Sequence, residues 1–177
     1  MKLSALALAG LAAVAVTASS GALVSAHGVA HKKVAGGSFL KIEAAKKTIV
    51  FTALAGDGTA NGGLDFDNAA NGQLTLTVPL HWTVDVVFKN VGGLPHSVLF
   101  ETWNTSLSNA NPTPAFKGAS SPDPVSGTPP GSGANFHFVA AKVGKYRMVC
   151  AFPGHASLGM WDTMIVSKTA KTASLKG

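Results

Sequence analysis

One short segment carries three side chains of metal-binding type at equal intervals: Cys150, His155 and Met160. Cys150 is the only cysteine among the 177 residues, so it has no partner for an internal disulfide. Thiolate, imidazole and thioether together form the soft donor set that selects copper and suits one-electron transfer. The segment can offer all three to one ion if Cys150 ends a strand, His155 lies in a loop and Met160 opens the next strand. The spacing therefore predicts a strand, a ligand-bearing loop and a second strand.

A fourth donor must come from elsewhere in the chain, and the other histidines differ in how well they suit this role. His27 and His31 lie near the N-terminus, and His81 lies in the turn P-L-H-W. His137 lies between two phenylalanines, so it faces outward if those rings face the core. His96 follows G-G-L-P and opens the strand-like H-S-V-L-F, which places an imidazole at a strand entrance. His96 is therefore the favoured fourth donor.

Three motifs link the chain to a known family: L-P-H-S-V, Y-R-M-V-C and G-H-A-S-L-G-M-W. Over residues 46–167 the chain resembles the cupredoxins, most closely sulfocyanin and more distantly rusticyanin. The resemblance implies a Greek-key β-sandwich holding one type 1 copper ion that alternates between Cu(I) and Cu(II). It also implies the function of a blue copper electron carrier. The ligands that it implies are His96, Cys150, His155 and Met160.

Other kinds of site fit the sequence less well. A cysteine–histidine catalytic pair would need an orienting partner, and none is evident. Haem attachment would need C-x-x-C-H, and a structural zinc site usually needs more cysteines. A copper oxidase or nitrite reductase domain would need further ligands, and the chain has no H-x-H pair. The expectation is therefore a protein that is not an enzyme, with copper delivery or storage as the alternative to electron transport.

The N-terminus has the features of a secretory signal. Lys2 precedes the uncharged, apolar residues 3–18, and Val24-Ser25-Ala26 resembles a cleavage site. Residues 1–26 are therefore expected to be a signal peptide, with a retained membrane anchor as the alternative. Residues 27–45 would form a lead-in segment and residues 46–177 the cupredoxin domain. Either alternative places the domain in the periplasm or on the outer face of the cell membrane.

The charge of the chain limits its partners. The formal net charge is +6, but the lysines are scattered, and Arg147 is the only arginine. Nucleic acid is not an expected partner, because no basic run is interleaved with aromatic residues. The expected partners are redox proteins that donate and accept electrons, such as a cytochrome or a membrane-bound terminal oxidase. An anionic membrane surface is a further candidate. The protein is expected to be a monomer.

Alternating patterns predict an all-β domain. In L-T-L-T-V and T-V-D-V-V-F, apolar residues recur at every second position around a turn at Pro79. No helical period of useful length is present after the N-terminal segment. The predicted strands cover residues 47–54, 74–78, 83–88, 97–101, 135–140, 145–150 and 161–167.

Residues 104–133 form an insertion rich in proline, glycine and serine, much longer than an ordinary strand connection. The insertion resembles one that sulfocyanins carry. It contains none of the four expected ligands, so its replacement is expected to leave the copper site intact. A solvated loop and a lid or docking element are both open interpretations.

Several residues around the ligands are expected to support the site. Ser97 can hydrogen-bond to the backbone near Cys150 and so tie the two ligand segments together. Trp161 is expected to lie in the core. An apolar rim that excludes water and offers a contact face is expected from Leu94, Pro95, Phe152, Pro153 and Leu158.

Overall fold

The computed structural model describes residues 39–177 and contains nine strands in two sheets. The predicted signal or anchor segment and residues 27–38 lie outside the described residues. Two 3₁₀ turns, Ala44–Lys46 and Ala60–Gly63, interrupt the strand pattern. The strands are β1 Leu40–Glu43, β2 Thr48–Ala55, β3 Thr75–Pro79, β4 Thr83–Asn90, β5 Leu99–Thr102, β6 Gly133–Val139, β7 Gly144–Val149, β8 Trp161–Ser167 and β9 Ser174–Lys176.

The two sheets form a sandwich. One sheet has the order β1-β2-β4-β6, and the other has the order β5-β7-β8-β3-β9. From β3 to β7, each strand lies in the sheet opposite to its predecessor, and the pairs β2–β4 and β3–β8 are parallel. The predicted all-β, cupredoxin-like Greek-key sandwich is confirmed. Strands β1 and β9 were not predicted, and β1 begins before residue 46.

The core lies between the inner faces of the sheets, and the alternating residues fill it as predicted. Val84, Val86 and Phe88 of β4 are buried. Phe138 of β6 contacts Phe100 of the opposite sheet, with ring centroids 4.9 Å apart. His137, beside Phe138 on β6, is exposed as predicted. No helix among residues 39–177 is long and apolar enough to cross a membrane.

The insertion closes one side of the sandwich, where β5 and β6 are the terminal strands of their sheets. The ring of Phe116 stacks on Phe138 at 5.5 Å and contacts Tyr146 at 4.8 Å. Phe100 donates a backbone hydrogen bond to the Ala119 carbonyl, and Ala115 donates one to the Phe100 carbonyl. Residues 115–121 are therefore packed against the sandwich, so this part of the insertion is not a solvated loop.

Trp161 is not in the core, so its predicted position was wrong. Strand β8 alternates, so Met160 just before it is buried while Trp161 lies half-buried on the outer face of the sheet. The ring meets Trp103 edge to face at a centroid distance of 5.9 Å. The guanidinium of Arg147 lies over both rings, 4.6 Å from Trp103 and 5.5 Å from Trp161. Trp161 is therefore held by ring and cation–π contacts on the outer face of the sheet and not by packing in the core.

Candidate metal centre

The loop between β7 and β8 brings its donor residues together. Cys150 follows the last residue of β7, and Met160 precedes the first residue of β8. The Cys150 amide donates to the Met160 carbonyl at 3.1 Å, and the Met160 amide donates to the His155 carbonyl at 2.9 Å. These two hydrogen bonds fold the loop back on itself. The arrangement is the strand, loop and strand that the spacing predicted.

Three donor atoms form a compact cluster at this end of the sandwich. Cys150 Sγ lies 3.4 Å from His155 Nδ1 and 3.8 Å from His96 Nδ1. The ligand atoms of the three residues all lie within 4.8 Å of one another, and all three residues are buried. Met160, five residues after His155 in the same loop, is completely buried. The structure thus joins His96 to the loop residues although 54 positions separate it from Cys150.

The geometry fits a bound metal ion. Metal–nitrogen and metal–sulfur bonds of about 2.0–2.3 Å, the values typical of zinc, place donors roughly 3.5–3.8 Å apart in a trigonal arrangement. The observed Sγ–Nδ1 distances of 3.4 and 3.8 Å are close to these values. Both imidazoles also present the same nitrogen, Nδ1, to the sulfur. One thiolate and two imidazoles match the trigonal donor set of blue copper sites.

Burial sets the protonation of the donors. It lowers the pKa of His96 to about 4, with a further contribution from His155, and it lowers the pKa of His155. Both rings are therefore neutral at pH 7, which is the form that binds a metal. Burial raises the pKa of the Cys150 thiol, although Ser97 and Phe152 donate hydrogen bonds to the sulfur. A metal must therefore displace a proton from Cys150 when it binds.

Comparison with known proteins agrees with this geometry. Residues 35–174, most of the chain, match the family described as the Sulfocyanin (SoxE) domain. The chain belongs to the sulfocyanin family. Sulfocyanin of Sulfolobus acidocaldarius is 28% identical over 134 residues, which are 68% of this chain and 64% of that protein. This chain therefore spans less than two thirds of the relative's length.

Solved structures of rusticyanin variants resemble the sulfocyanin-family chain in fold. A variant with methionine replaced by leucine has 26% identity and a TM-score of 0.52, covering 68% of this chain and 77% of its own. A variant with methionine replaced by glutamine has 27% identity and a TM-score of 0.50, and the match covers 68% of this chain and 78% of the variant. The sequence resemblance to sulfocyanin and rusticyanin is thus confirmed.

Ser97 connects the two ligand-bearing segments of this sulfocyanin-family centre. Its amide donates to Cys150 Sγ at 3.3 Å, and its hydroxyl oxygen accepts a hydrogen bond from the Ala151 amide at 2.9 Å. The second contact is the link to the backbone near Cys150 that the sequence suggested. Because His96 precedes Ser97 directly, these bonds fix the separation between an imidazole and the thiol.

Asn90, at the end of β4, fixes the backbone of the turn that precedes His96. Sequence reasoning missed this residue. Its Nδ2 donates to the Leu94 carbonyl at 2.7 Å and to the Thr128 carbonyl at 2.8 Å, while its Oδ1 accepts from the Gly92 amide at 3.0 Å. Gly92 in turn lies against the His96 ring, since a Cβ there would be 3.1 Å from Nε2. The only available signal was an asparagine between a strand and the G-G-L-P turn.

The insertion of the sulfocyanin-family chain also supports a proposed ligand directly. Thr128 pairs with His96 through two backbone hydrogen bonds, of 2.6 Å from the Thr128 amide and 3.1 Å from the His96 amide. Gly127, with φ of +75°, lies so close that a Cβ would be 3.2 Å from Phe152 and Pro95. A side chain at this position would be strained and crowded. The insertion is therefore part of the wall that holds the histidine in place.

The residues predicted to form an apolar rim lie on the two segments that carry the ligands. Leu94 and Leu158 are exposed, and Leu158 has 63% of its surface accessible. Phe152 is half-buried, with its ring centroid 4.8 Å from that of His155. Pro95 is also half-buried, and Pro153 is exposed. Phe152 and Pro95 both approach Gly127, so these two predicted rim residues lie close together, while the rim as a whole stays a prediction.

Proposed function

We propose that this chain is an exported blue copper protein that carries single electrons between redox proteins. The observation that carries the proposal is the buried cluster of Cys150, His155 and His96. The distances from its sulfur to the two imidazole nitrogens are close to those between ligands of one metal ion. These three residues would hold one copper ion, with Met160 as a weak axial ligand. A bound copper ion supplies a centre that alternates between Cu(I) and Cu(II).

The chain's own contribution is to keep the donors in place whichever oxidation state is present. Ser97 and Asn90 fix the two ligand segments through hydrogen bonds, and Thr128 fixes the backbone of His96. A set of donors that moves little keeps the reorganisation cost of electron transfer small. Met160, which is completely buried, would supply a soft thioether rather than water to the ion, and a thioether favours the reduced form.

His155 is the proposed site of electron entry and exit. It keeps 6% of its surface accessible, compared with 1% for His96, and the half-buried ring of Phe152 packs against it. Electronic coupling falls steeply with distance, so a partner gains by docking on the predicted rim. The contact would be small, as in other weak redox encounters. The proposed partners are an electron donor and an acceptor, such as a cytochrome or a membrane-bound terminal oxidase, acting on a monomeric carrier that is not an enzyme.

The proposed location is outside the cytoplasm. Support comes from the N-terminal sequence, where an apolar run precedes a small-residue cleavage pattern. Residues 1–26 would be a signal peptide or an anchor, residues 27–45 a lead-in and residues 46–177 the copper domain. The periplasm and the outer face of the membrane both fit this arrangement.

Leu158→Asp tests whether the rim serves electron exchange. A carboxylate there must lose water whenever two molecules dock face to face, so the self-exchange rate should fall about tenfold or more. The rate is measurable by NMR on mixtures of oxidised and reduced protein. Val143→Asp is the matched control, since Val143 is 48% exposed and precedes β7 at the end opposite to Cys150. The control should exchange electrons at the wild-type rate.

A copper delivery protein would behave differently, because it must surrender its metal. Transfer of Cu(I) from the loaded protein to a strong Cu(I) chelator measures this property. The carrier proposal expects slow transfer together with fast electron self-exchange. Rapid transfer with sluggish self-exchange would instead favour delivery or storage.

A further inference from the structure

Glu101 is a buried carboxyl group close to the proposed copper centre, and the electron-carrier proposal does not use it. It lies on β5 opposite Arg147 of β7, on the outer face of the sheet, and only 2% of its surface is accessible. The chain has one other glutamate, Glu43, whose side chain pairs with two exposed lysines. Buried carboxyl groups usually have a strong partner, so the surroundings of Glu101 need an explanation.

Arg147 is a poor partner for Glu101. Its Nη1 lies 3.9 Å from Glu101 Oε1, at the limit of an ion pair, and donates instead to the Thr105 carbonyl at 2.6 Å. The guanidinium also lies over the Trp103 ring, and its Nε has no hydrogen-bond partner. Burial therefore dominates and raises the pKa of Glu101 to about 7, with Arg147 opposing the shift.

A cavity connects Glu101 with the ligand loop. It has a volume of about 240 Å³ and lies between residues 106–112 of the insertion and residues 149–157. Glu101 and Cys150 both line it. Ser106, Ser108 and Asn109 add polar groups, and several lining residues are exposed, so the cavity reaches solvent. Space of this size and polarity holds several water molecules, which can bring a proton to the carboxylate.

We propose that Glu101 binds a proton when the copper centre is reduced and releases it when the centre is oxidised. This inference rests on the proposed function. In reduction, the electron comes from a one-electron donor protein and the proton comes from solvent through the cavity. Cu(II) with a Glu101 carboxylate becomes Cu(I) with a Glu101 carboxylic acid, so one electron and one proton arrive together. The local charge is unchanged by the combined step.

Electrostatics supplies the coupling. Arg147 lies three residues before Cys150, so Glu101 lies roughly 10 Å along the sheet from the thiolate. A unit charge at that distance in a protein acts with more than thermal energy. The charged groups that face Glu101 are Arg147 on β7 and, across the cavity, Cys150 with its proposed metal. The lining residues of the insertion carry no titratable side chain, and Lys145 is turned over the Trp103 ring. Reduction removes one positive charge at the metal, and Glu101 is therefore the titratable group whose proton affinity should rise most.

The two glutamates allow a direct test on the full chain. With ¹³C-labelled glutamate carboxyls, NMR should show two titrating signals. Glu43→Gln should remove the signal of Glu43, whose pKa is lowered to about 2 by the hydrogen bonds from Lys41 and Lys46. The Glu101 midpoint should be higher in protein loaded with Cu(I) than with Zn(II), a diamagnetic divalent stand-in. A difference of about one pH unit corresponds to a tenfold change in the reduction equilibrium constant, or about 59 mV.

Voltammetry of the copper protein supplies the second measurement. The wild-type and Glu43→Gln potentials should fall as pH rises through the Glu101 pKa, because the carboxylate then stabilises Cu(II). Glu101→Gln should keep the visible copper band and lose this part of the pH dependence. An equal Glu101 midpoint with both metals, or a Glu101→Gln slope identical to the wild type, would overturn the inference and leave the carrier proposal intact. Failure to bind Cu(II) at the cysteine would overturn both.

Discussion

Replacement of residues 104–132 by a short glycine–serine linker should abolish the copper site and strongly destabilise the domain. The sequence alone suggested the opposite, because no expected ligand lies in the insertion. In the structure, however, Thr128 pairs with the backbone of His96, and Phe116 fills the space between Phe138 and Tyr146. Loss of a buried phenylalanine by itself costs about 3–5 kcal/mol, and the total stability of a domain is only about 5–15 kcal/mol.

Thermal unfolding and titration with Cu(II) test this expectation together. We expect the unfolding midpoint to fall by about 10 °C or more and copper binding at the cysteine to be lost or much weakened. Deletion of residues 108–111 is the matched control, since all four are exposed and lie outside both the packed residues 115–121 and the Thr128 contact. The control should unfold within a few degrees of the wild type. A linker variant that retained both properties would show that the insertion does not support the centre.

Asn90→Ala should both destabilise the domain and weaken copper binding. The change removes all three side-chain hydrogen bonds that hold the backbone at Gly92, Leu94 and Thr128. Buried polar groups left without partners cost about 1–3 kcal/mol each, so the free energy of unfolding should fall by about 2–4 kcal/mol. Because the same bonds fix the approach to His96, copper affinity should fall as well.

Denaturant unfolding of the apoprotein, followed by Cu(II) titration, separates the two effects of Asn90→Ala. Asn90→Asp keeps the acceptor oxygen but loses both donated bonds, so it should be at least as damaging. Asn135→Ala, at an exposed position on β6, should change the unfolding free energy by less than about 0.5 kcal/mol. If Asn90→Ala behaved like Asn135→Ala, the loop before His96 would be held by other contacts.

The elements that were predictable from the sequence are those with local signals. Alternation identified strands such as β3 and β4, because one face of each is buried. The donors Cys150, His155 and Met160 were recognisable because they share one segment, and His96 because it opens a strand-like run. Short strands with exposed residues, such as β1, left no comparable signal.

The features that were not predictable depend on distant packing. Nothing in the sequence indicates that Phe116 pairs with Phe138, or that Thr128 bonds to His96. The sequence predicts a core position for Trp161, but its ring neighbours are Trp103 and Arg147. Glu101 reads as an ordinary polar residue at the end of an apolar run. Its burial arises only when the insertion covers the outer face of β5.

The optical spectrum of the protein loaded with one equivalent of Cu(II) tests the central claim most directly. A short, covalent bond between copper and the Cys150 thiolate should give an intense visible charge-transfer band. The same measurement on Cys150→Ser should show no such band, because the hydroxyl oxygen cannot supply the thiolate transition. Absence of the band in the wild type, or its survival in Cys150→Ser, would contradict the assignment of a blue copper centre.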